Sequence, residues 1–485
     1  MAHLRLSIDL AGRYRHLPLF QRIAREVVRL LQRGALEPGA RLPSSRALAA
    51  QLGVHRNTVL AAYAELEREG YVVTRPAAGT FISEELALGA KRSETVRSLP
   101  ATAFGLPALP PKQDFPGDSP KTLPLASGMP DVTLMPREHF ARAYRSVLRS
   151  QPDALDYADE RGDAYLRSVL GEMLRQSRGV SAKEDQLMIT RGSQMAIYLF
   201  AHAIVRPGDV IAVESFGYQP AWHAFRMAGA TLVPVTVDDA GVSIEEIDAL
   251  ATKGRLRAVY VTPHHQFPTT VTLSAQRRIA LLRLAEKHRF MILEDDYDHD
   301  FHFDGRPVLP LASVDERSVV VYIGTLSKVL APGLRLGYVV AQPELIERMA
   351  RIRSYIDRQG DTVSERALAT LIEDGELAAH IRRARRVYAE RRLVVFHALE
   401  SLLPNTLEFK RPKGGLTVWT RVNEPPTAVS LEAMAIASGV MVLSAKHYCF
   451  YGKSHPYLRI GFGRLPTSVL RCGVERLAHA WKSIV

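Results

Sequence analysis

Apolar positions Leu19, Ile23, Val27 and Leu30, spaced by four, four and three residues, predict an amphipathic helix that ends near Gly34. Pro43-Ser44-Ser45 supplies start signals for a short helix, Arg46–Leu52, which Gly53 stops. Arg56-Asn57-Thr58 opens a third helix that runs to Gly70 and turns Val59, Tyr63 and Leu66 inward. Tyr71–Arg75 and Gly79–Ile82 then read as the two strands of a hairpin. From residue 83 to 123 the periodicity lapses, and Pro100, Pro107, Pro110, Pro111, Pro116 and Pro120 take its place. Proline removes backbone donors and favours extended chain, so this stretch reads as a semi-rigid linker.

Beyond it, the apolar runs Val210–Val213, Ala258–Thr262, Phe290–Leu293 and Val319–Ile323 alternate with helical stretches. That is the pattern of βαβ units and predicts a parallel-rich sheet covered by helices. From about Pro343 the signal turns helical, breaks at Gly375, continues through an Arg-rich run, Arg382–Arg392, and returns to short strands at Leu416–Thr420 and Tyr457–Gly461. The pattern divides the chain into 1–82, a linker 83–123, a large α/β region 124–342 and a smaller C-terminal region 343–485. No repeat of 20–50 residues is visible, which sets solenoids and propellers aside.

Composition sharpens this picture at one end. With 485 residues, 47% apolar and 24% charged, the chain is too long for a single small module and too apolar for global disorder. Residues 1–82 hold twelve Arg, no Lys and six acidic residues, a surplus of +6 out of a whole-chain +12. A small basic end on a nearly balanced remainder points to a module that binds a polyanion. The two cysteines, Cys449 and Cys472, have neither disulfide-framework nor zinc-module spacing, and a reducing cytoplasm is expected. Without a leader-like N-terminus or a run of roughly 18 apolar residues, secretion and membrane spanning are not expected.

In the basic end, two helices meet across a short turn containing Gly53, which is the helix-turn-helix signature. The second helix of such a pair presents its N-terminal residues to base edges in the major groove. Here these are His55, Arg56, Asn57 and Thr58. Arg grips guanine and Asn adenine through bidentate hydrogen bonds, while Thr and backbone amides hold phosphates. The wording LPSSRALAAQLGVHRNTVLAAYAELEREGYV…GTFI, with its hairpin as a wing, resembles the GntR-type winged helix-turn-helix of bacterial repressors over nearly all of residues 18–82. The resemblance implies DNA-contact roles for Arg46, Arg56, Asn57 and Thr58, and a close approach of the wing to the DNA backbone at Gly79. His55 stands where Ser or Thr is usual, and Pro76-Ala77-Ala78 replaces a more glycine-rich wing tip.

In the large region, the strand-like run Tyr322-Ile323-Gly324-Thr325-Leu326-Ser327-Lys328 ends in a lysine, with Arg335 seven residues on. A lysine desolvated near a second cation becomes a Schiff-base nucleophile. Phe290–Leu293 runs into Glu294-Asp295-Asp296-Tyr297, placing carboxylates at the sheet edge where ligands of α/β folds bind. Thr190-Arg191-Gly192-Ser193-Gln194 opens a helix whose free amides suit a phosphate. An aldehyde trap, an anionic partner for a ring nitrogen and a phosphate cradle are the parts that pyridoxal 5'-phosphate requires.

These residues resemble fold-type I aminotransferases over about residues 124–485, and the whole chain is similar to MocR-type regulators, which fuse a GntR-like head to an aminotransferase-like domain. The resemblance implies that Lys328 forms the imine with the cofactor, Asp295 holds the pyridinium nitrogen and Tyr297 the phenolic oxygen. Tyr218, in ESFGYQP, would stack on the ring, and Ser193, Gln194, Thr325, Ser327 and Arg335 would hold the phosphate. Tyr157, in DYADERG, would reach the phosphate of the neighbouring subunit of a homodimer, and Arg459, in YLRIGFG, would clamp a ligand α-carboxylate. TPHHQFPTT departs from the TPSHQYPTG of these regulators: Phe267 lacks a tyrosine hydroxyl and Thr270 replaces a glycine. Pro220 stands where some relatives carry a further basic ligand contact.

The run Asp295, Asp296, Asp298, His299, Asp300, His302, Asp304 contains cation donors, but no helical ligand pair is apparent and Asp295 already has a role, so no metal site is assigned. His264-His265 reads as loop structure and the Arg382–Arg392 run as a solvated helix face. The expected function is a DNA-binding transcription regulator. Its aminotransferase-like domain senses an amine, an amino acid or pyridoxal phosphate itself by imine exchange at Lys328, and changes its grip on a double-stranded operator. The alternative is a working aminotransferase of an amino acid.

Overall fold

Helix α1 (Leu19–Gln32), α2 (Ser45–Leu52) and α3 (Arg56–Arg68), followed by the antiparallel hairpin β1 (Val72–Arg75) and β2 (Gly79–Ile82), form the N-terminal unit of the computed structural model. Ile23, Val27, Leu48, Val59, Tyr63 and Leu66 are buried together in its core, as their helical spacing requires. Ser44 Oγ accepts from the Ala47 amide at 3.2 Å to cap α2, and Gly53 closes it in the left-handed conformation, φ 65°. The structure describes residues 6–11, 14–87, 122–305, 307–423 and 427–483, and divides into two units, residues 1–113 and 114–485. Most of the expected proline-rich linker, residues 88–121, lies outside the described residues.

The second unit begins with β3 (Leu123–Pro124), α4 (Arg137–Ser150), α5 (Ala164–Arg178), β4 (Leu187–Thr190), α6 (Ser193–Ile204), β5 (Val210–Glu214), α7 (Gln219–Met227) and β6 (Thr231–Val235). A small hairpin, β7 (Val237–Asp238) and β8 (Gly241–Val242), leads to α8 (Ile244–Thr252), β9 (Leu256–Val261), α9 (Ala275–His288), β10 (Met291–Asp296), β11 (Val320–Thr325) and β12 (Gly337–Val340). Its main sheet has seven strands in the order β4-β12-β11-β10-β9-β5-β6, parallel except where β12 runs against β11 and β4. The strands alternate their side chains between two helical layers. Tyr260, Leu293 and Ile323 pack with α6 and α7, whereas Val259, Ile292 and Val320 pack with α8 and α9.

The chain continues as α10 (Pro343–Ser354), α11 (Thr362–Glu373), α12 (Glu376–Leu402), β13 (Leu407–Phe409), β14 (Thr417–Val422), α13 (Ala428–Ala437), β15 (Val440–Met441), β16 (Leu443–Ser444), β17 (Tyr457–Gly461) and α14 (Thr467–Lys482). Strands β13-β14-β17-β16 make a second, antiparallel sheet. Gly375, φ 75°, separates α11 from α12 at the expected break. The segment that enters the second unit joins this C-terminal part: β3 pairs with β15, and Leu125 is fully buried among Leu458, Ile460 and Leu470.

The segment after β10 is pinned from beneath. Arg178, buried at the end of α5, donates to Tyr322 Oη at 2.6 Å, Tyr338 Oη at 2.9 Å and Asp300 Oδ2 at 2.8 Å. Tyr322 in turn donates to Asp296 Oδ2 at 2.6 Å. Removing Arg178 would strand the buried Asp296 carboxylate, a loss of about 3–5 kcal/mol for such pairs. Among the described residues, no helix is long and apolar enough to cross a membrane.

Candidate functional site

On the N-terminal unit, Arg46, His55, Arg56 and Asn57 are exposed and Thr58 is half-buried. The starts of α2 and α3 lie together, where Arg56 Nε donates to Ser45 Oγ at 3.3 Å. His55 takes over the work of the usual hydroxyl residue: its Nδ1 accepts from the Asn57 amide at 3.2 Å and caps α3. At the wing, Gly79 has φ 116°, and a side chain there would meet the Arg41 guanidinium at 3.0 Å. Ala77 in the wing tip also lies in the left-handed region, φ 60°. Arg75 sits over the Phe81 ring at 5.1 Å, so the hairpin carries a cation beside an aromatic.

In the second unit, a cavity of about 190 Å³ opens at the C-terminal ends of the parallel strands. It is lined by Lys328, Asp295, Tyr297, Ser193, Gln194, Tyr218, Thr325, Ser327, Arg335 and Arg459, and further by Tyr260, Thr262, Phe267 and Met129. A larger hollow of about 530 Å³, flanked by Arg161 and Glu347, holds none of the expected site residues. Tyr157 is not at the cavity: it is 76% exposed, with the Arg358 guanidinium 4.4 Å from its ring centre.

Lys328 follows β11 and donates to Gly128 O at 2.9 Å, next to Met129 Sδ at 3.3 Å. Burial, reinforced by the Arg459 charge, brings its ammonium down to about 8, so that a useful fraction is neutral near physiological pH. Asp295 is held at the end of β10. Its Oδ2 accepts from Tyr260 Oη at 2.8 Å, while Oδ1 is buried with no partner. Burial pushes this carboxyl up to about 7, against the Tyr260 hydrogen bond that favours its ionised form. Tyr260 is paired in register with Leu293, two residues before Asp295, and therefore projects on the same face of the sheet.

One end of the cavity is built around the start of α6. Gly192, φ 79°, precedes α6, so Ser193 and Gln194 stand at a helix N-terminus. Gly337 in β12 permits the close packing there, since a Cβ would lie 2.8 Å from the Gly192 backbone. Arg335 adopts a left-handed conformation, φ 53°, after a short helical turn, and its Nη2 donates to Arg191 O at 2.9 Å. Gln194 Nε2 donates to Pro220 O at 2.9 Å and leaves a buried Oε1 unpaired. Thr325 Oγ1 accepts from the Ser327 amide at 3.1 Å.

Phe267 forms the floor of the cavity's other side, edge-on to Tyr218 at 5.7 Å and to Tyr297 at 6.0 Å. Burial pushes the Tyr218 phenol up to about 12 and carries Tyr297 well above its ordinary range. Arg459, on β17, is 6% exposed. Its Nη1 donates to Ala126 O at 3.1 Å and its guanidinium faces the Phe267 ring at 4.6 Å. Among the described residues no carboxylate pairs with it. Thr270, in place of a glycine, has φ 63°, an uncommon conformation for a β-branched residue.

Residues 120–477 match the family model described as aminotransferase class I and II, and residues 19–82 match that of bacterial regulatory proteins, gntR family. The chain is 30% identical over 475 residues to the probable rhizopine catabolism regulatory protein MocR of Rhizobium meliloti, covering 97% of this chain and 94% of that one. It belongs to the MocR-type transcription regulators. Another relative of this type, the pyridoxine biosynthesis transcriptional regulator PdxR of Corynebacterium glutamicum, is 30% identical across 94% of this chain and 95% of its own. Among solved structures, a multiple substrate aminotransferase from Thermococcus profundus superposes with a TM-score of 0.71 at 29% identity, over 76% of this chain and 92% of that one. The MocR-type chain therefore joins a DNA-binding gntR head to a fold-type I aminotransferase-like domain, as the residue patterns imply.

The cavity fits pyridoxal phosphate. The unpaired Asp295 Oδ1 suits a ring N–H, the bare helix start at Gly192–Ser193 suits a phosphate, and Lys328 suits an aldehyde. Tyr260 escaped the sequence reading because nothing in AVYVTP distinguishes it from a core strand residue; only the register against β10 gives it a role.

Proposed function

We propose that this MocR-type regulator senses an α-amino acid or related amine in a pyridoxal phosphate site and transmits occupancy to its DNA-binding head. The observation that carries the reading is the buried Arg459 guanidinium, its Nε unpaired and without a carboxylate partner among the described residues, lining the same cavity as Lys328. A cation without a counter-ion and an amine-handling lysine together suit a ligand that bears both a carboxylate and an amine. The reading divides the chain into a head, 1–82, a linker, 83–123, a large region, 124–342, and a C-terminal region, 343–485, and takes the working form as a homodimer on an operator.

When bound, pyridoxal phosphate supplies an aldehyde that condenses reversibly with primary amines. Lys328 would present the amine that holds the aldehyde in the absence of a ligand amine. Asp295 Oδ1 would hold a proton at the ring nitrogen, Tyr297 would bind the phenolic oxygen and Tyr218 would cover the ring. Ser193, Gln194, Thr325, Ser327 and Arg335 bind the phosphate, and Tyr157 serves the phosphate of the neighbouring subunit. Arg459 binds the ligand carboxylate.

Lys328, when not joined to the cofactor, would place a second cation in the buried site, next to Gly128 O and Arg459. The ligand carboxylate offsets that charge. Gly128 and Arg459 both sit with the C-terminal sheet, where a side chain on Gly128 would meet Arg459 Nη2 at 2.6 Å. The exchange thus alters the seam between the large sheet and the C-terminal part, and a ligand with different affinity for two seam arrangements shifts their populations.

Borohydride reduction of the loaded protein tests the cofactor assignment: Lys328→Ala retaining a wild-type covalent adduct overturns it. Steady turnover with a keto acid, with DNA affinity untouched, supports the aminotransferase reading instead. DNA binding that follows cofactor occupancy alone supports a sensor of pyridoxal phosphate.

A further inference from the structure

Histidines 264 and 265 follow β9, and His299 and His302 follow β10, two parallel neighbours whose C-terminal ends lie side by side. Segments more than thirty residues apart in the chain thereby meet in one buried cluster. His264, His265 and His302 are 5%, 2% and 6% exposed, and one ring nitrogen of each lies within 4.8 Å of those of the other two. His299 stacks beside His264, ring centres 4.7 Å apart, and its Nδ1 faces Asp296 Oδ2 at 3.1 Å.

The hydrogen bonds leave lone pairs without donors. His265 Nδ1 is 2.9 Å from Asp298 Oδ1 and His302 Nε2 is 2.8 Å from the Asp304 carbonyl. A carboxylate oxygen and a carbonyl only accept, so these two nitrogens carry the hydrogen. In the neutral rings, His265 Nε2 and His302 Nδ1 are then bare acceptors, and both are buried with no partner. Neither nitrogen of His264 has a partner either. Buried imidazole acceptors that find no protein donor and converge on one point are donor atoms suited to a metal ion.

We propose that His264, His265 and His302 form a binding site for a divalent transition-metal ion of the zinc class, independent of the pyridoxal phosphate site. Imidazole is a favoured donor for zinc, nickel and copper, and three protein ligands with an open fourth position are an established zinc arrangement. Zinc–nitrogen bonds of about 2.0–2.1 Å in tetrahedral geometry place their nitrogens about 3.3 Å apart. His264, whose ring no hydrogen bond fixes, would have to turn inward to close the gap. Asp298 orients His265 as outer carboxylates orient metal-bound histidines.

Gly414 packs over the cluster, and a Cβ there would lie 2.6 Å from His265 Nε2, filling the space beside the bare nitrogen. The Gly415 amide donates to Phe301 O and the Phe303 amide to Lys413 O, each at 2.8 Å, so the loop before β14 is laced to the segment that carries His302. An ion here would tie the loops after β9 and β10 together beneath the C-terminal sheet.

The test uses untagged full-length protein, loaded with pyridoxal phosphate, freed of metal with a chelator and titrated with zinc chloride against a chromophoric indicator. The site predicts one zinc per chain, binding at least tenfold weaker in Asp298→Asn and lost from a His264→Ser, His302→Gln double variant whose circular dichroism matches wild type. No zinc retained by wild type, or a double variant that binds as wild type does, overturns the proposal. Should the double variant fail to fold, cobalt added to wild type decides: intense visible bands of a tetrahedral ion support the site, and a weak octahedral spectrum overturns it.

Discussion

Tyr260 Oη donates to Asp295 Oδ2 at 2.8 Å and leaves the second carboxylate oxygen buried and unpaired at the edge of the cavity. One neutral donor thus positions a carboxylate that burial, with the nearby Asp296 and Asp298 charges, has pushed up to about 7. Tyr260→Phe removes a bond that favours the ionised form, so Asp295 titrates still higher and at neutral pH is protonated when it should accept a ring proton. The expected loss in pyridoxal phosphate affinity is about 1.5 kcal/mol, roughly tenfold, near neutral pH. It narrows at alkaline pH, where Asp295 ionises in both proteins; equilibrium titration of the cofactor across pH measures it. An equal loss at every pH would place Tyr260 in packing alone.

Arg459 lowers the Lys328 ammonium by charge repulsion, second only to burial. Capture of a carbonyl compound needs the neutral amine, so in cofactor-free protein the capture rate rises with pH through about 8. Arg459→Gln removes the repelling charge, and the midpoint moves upward, towards the ordinary lysine value. Stopped-flow mixing with pyridoxal phosphate at a series of pH values reads the shift. An unmoved midpoint would mean that the guanidinium and the ammonium do not share one electrostatic environment.

Gly337→Ala tests the phosphate end. Its new methyl would press on the Gly192 backbone at 2.8 Å and on the Ser193 amide at 3.0 Å, both backbone and unable to rotate away. Overpacking of this kind costs about 1–3 kcal/mol. The expected result is a lower melting temperature together with weaker cofactor binding, because the start of α6 must shift. A melting temperature and affinity both at wild-type level would contradict the close approach.

In the head, His55→Ala removes a cap from α3 and should destabilise that unit by about 1 kcal/mol, whereas His55→Ser restores a capping oxygen and should not. Arg56→Ala, exposed and away from the core, should leave the melting curve alone and weaken specific DNA binding by about 1–3 kcal/mol. Denaturation and fluorescence anisotropy with a DNA duplex separate the two effects. Reversed effects would reassign His55 to DNA and Arg56 to the fold.

The elements most legible in the sequence were those whose signals are local. Helical spacing marked α1, start and stop residues marked α2 and α3, the Gly375 break fell between two helices, and the small residues before Lys328 marked the end of β11. Nearly all the residues matched by motif line one cavity, because strand ends in a parallel sheet meet at one edge. What escaped depends on pairing. Tyr260 gains its role from register with β10, and Leu123–Pro124, at the margin of the expected linker, pairs with Val440–Met441 more than three hundred residues away. His264, His265 and His302 converge only because β9 and β10 are neighbours. His55 as a cap needed side-chain geometry, since histidine is not among the preferred capping types.

The central claim is that amine exchange at Lys328 governs DNA binding. The most direct test titrates the full-length, pyridoxal phosphate-loaded protein with a panel of amino acids and other amines while recording the cofactor absorbance and the affinity for DNA from upstream of its own gene. The account predicts at least one amine that shifts the absorbance to a new, stable band and changes DNA affinity over the same concentration range, with neither response in Lys328→Ala. Amines that shift the absorbance and leave DNA affinity unchanged in the wild-type protein would contradict it.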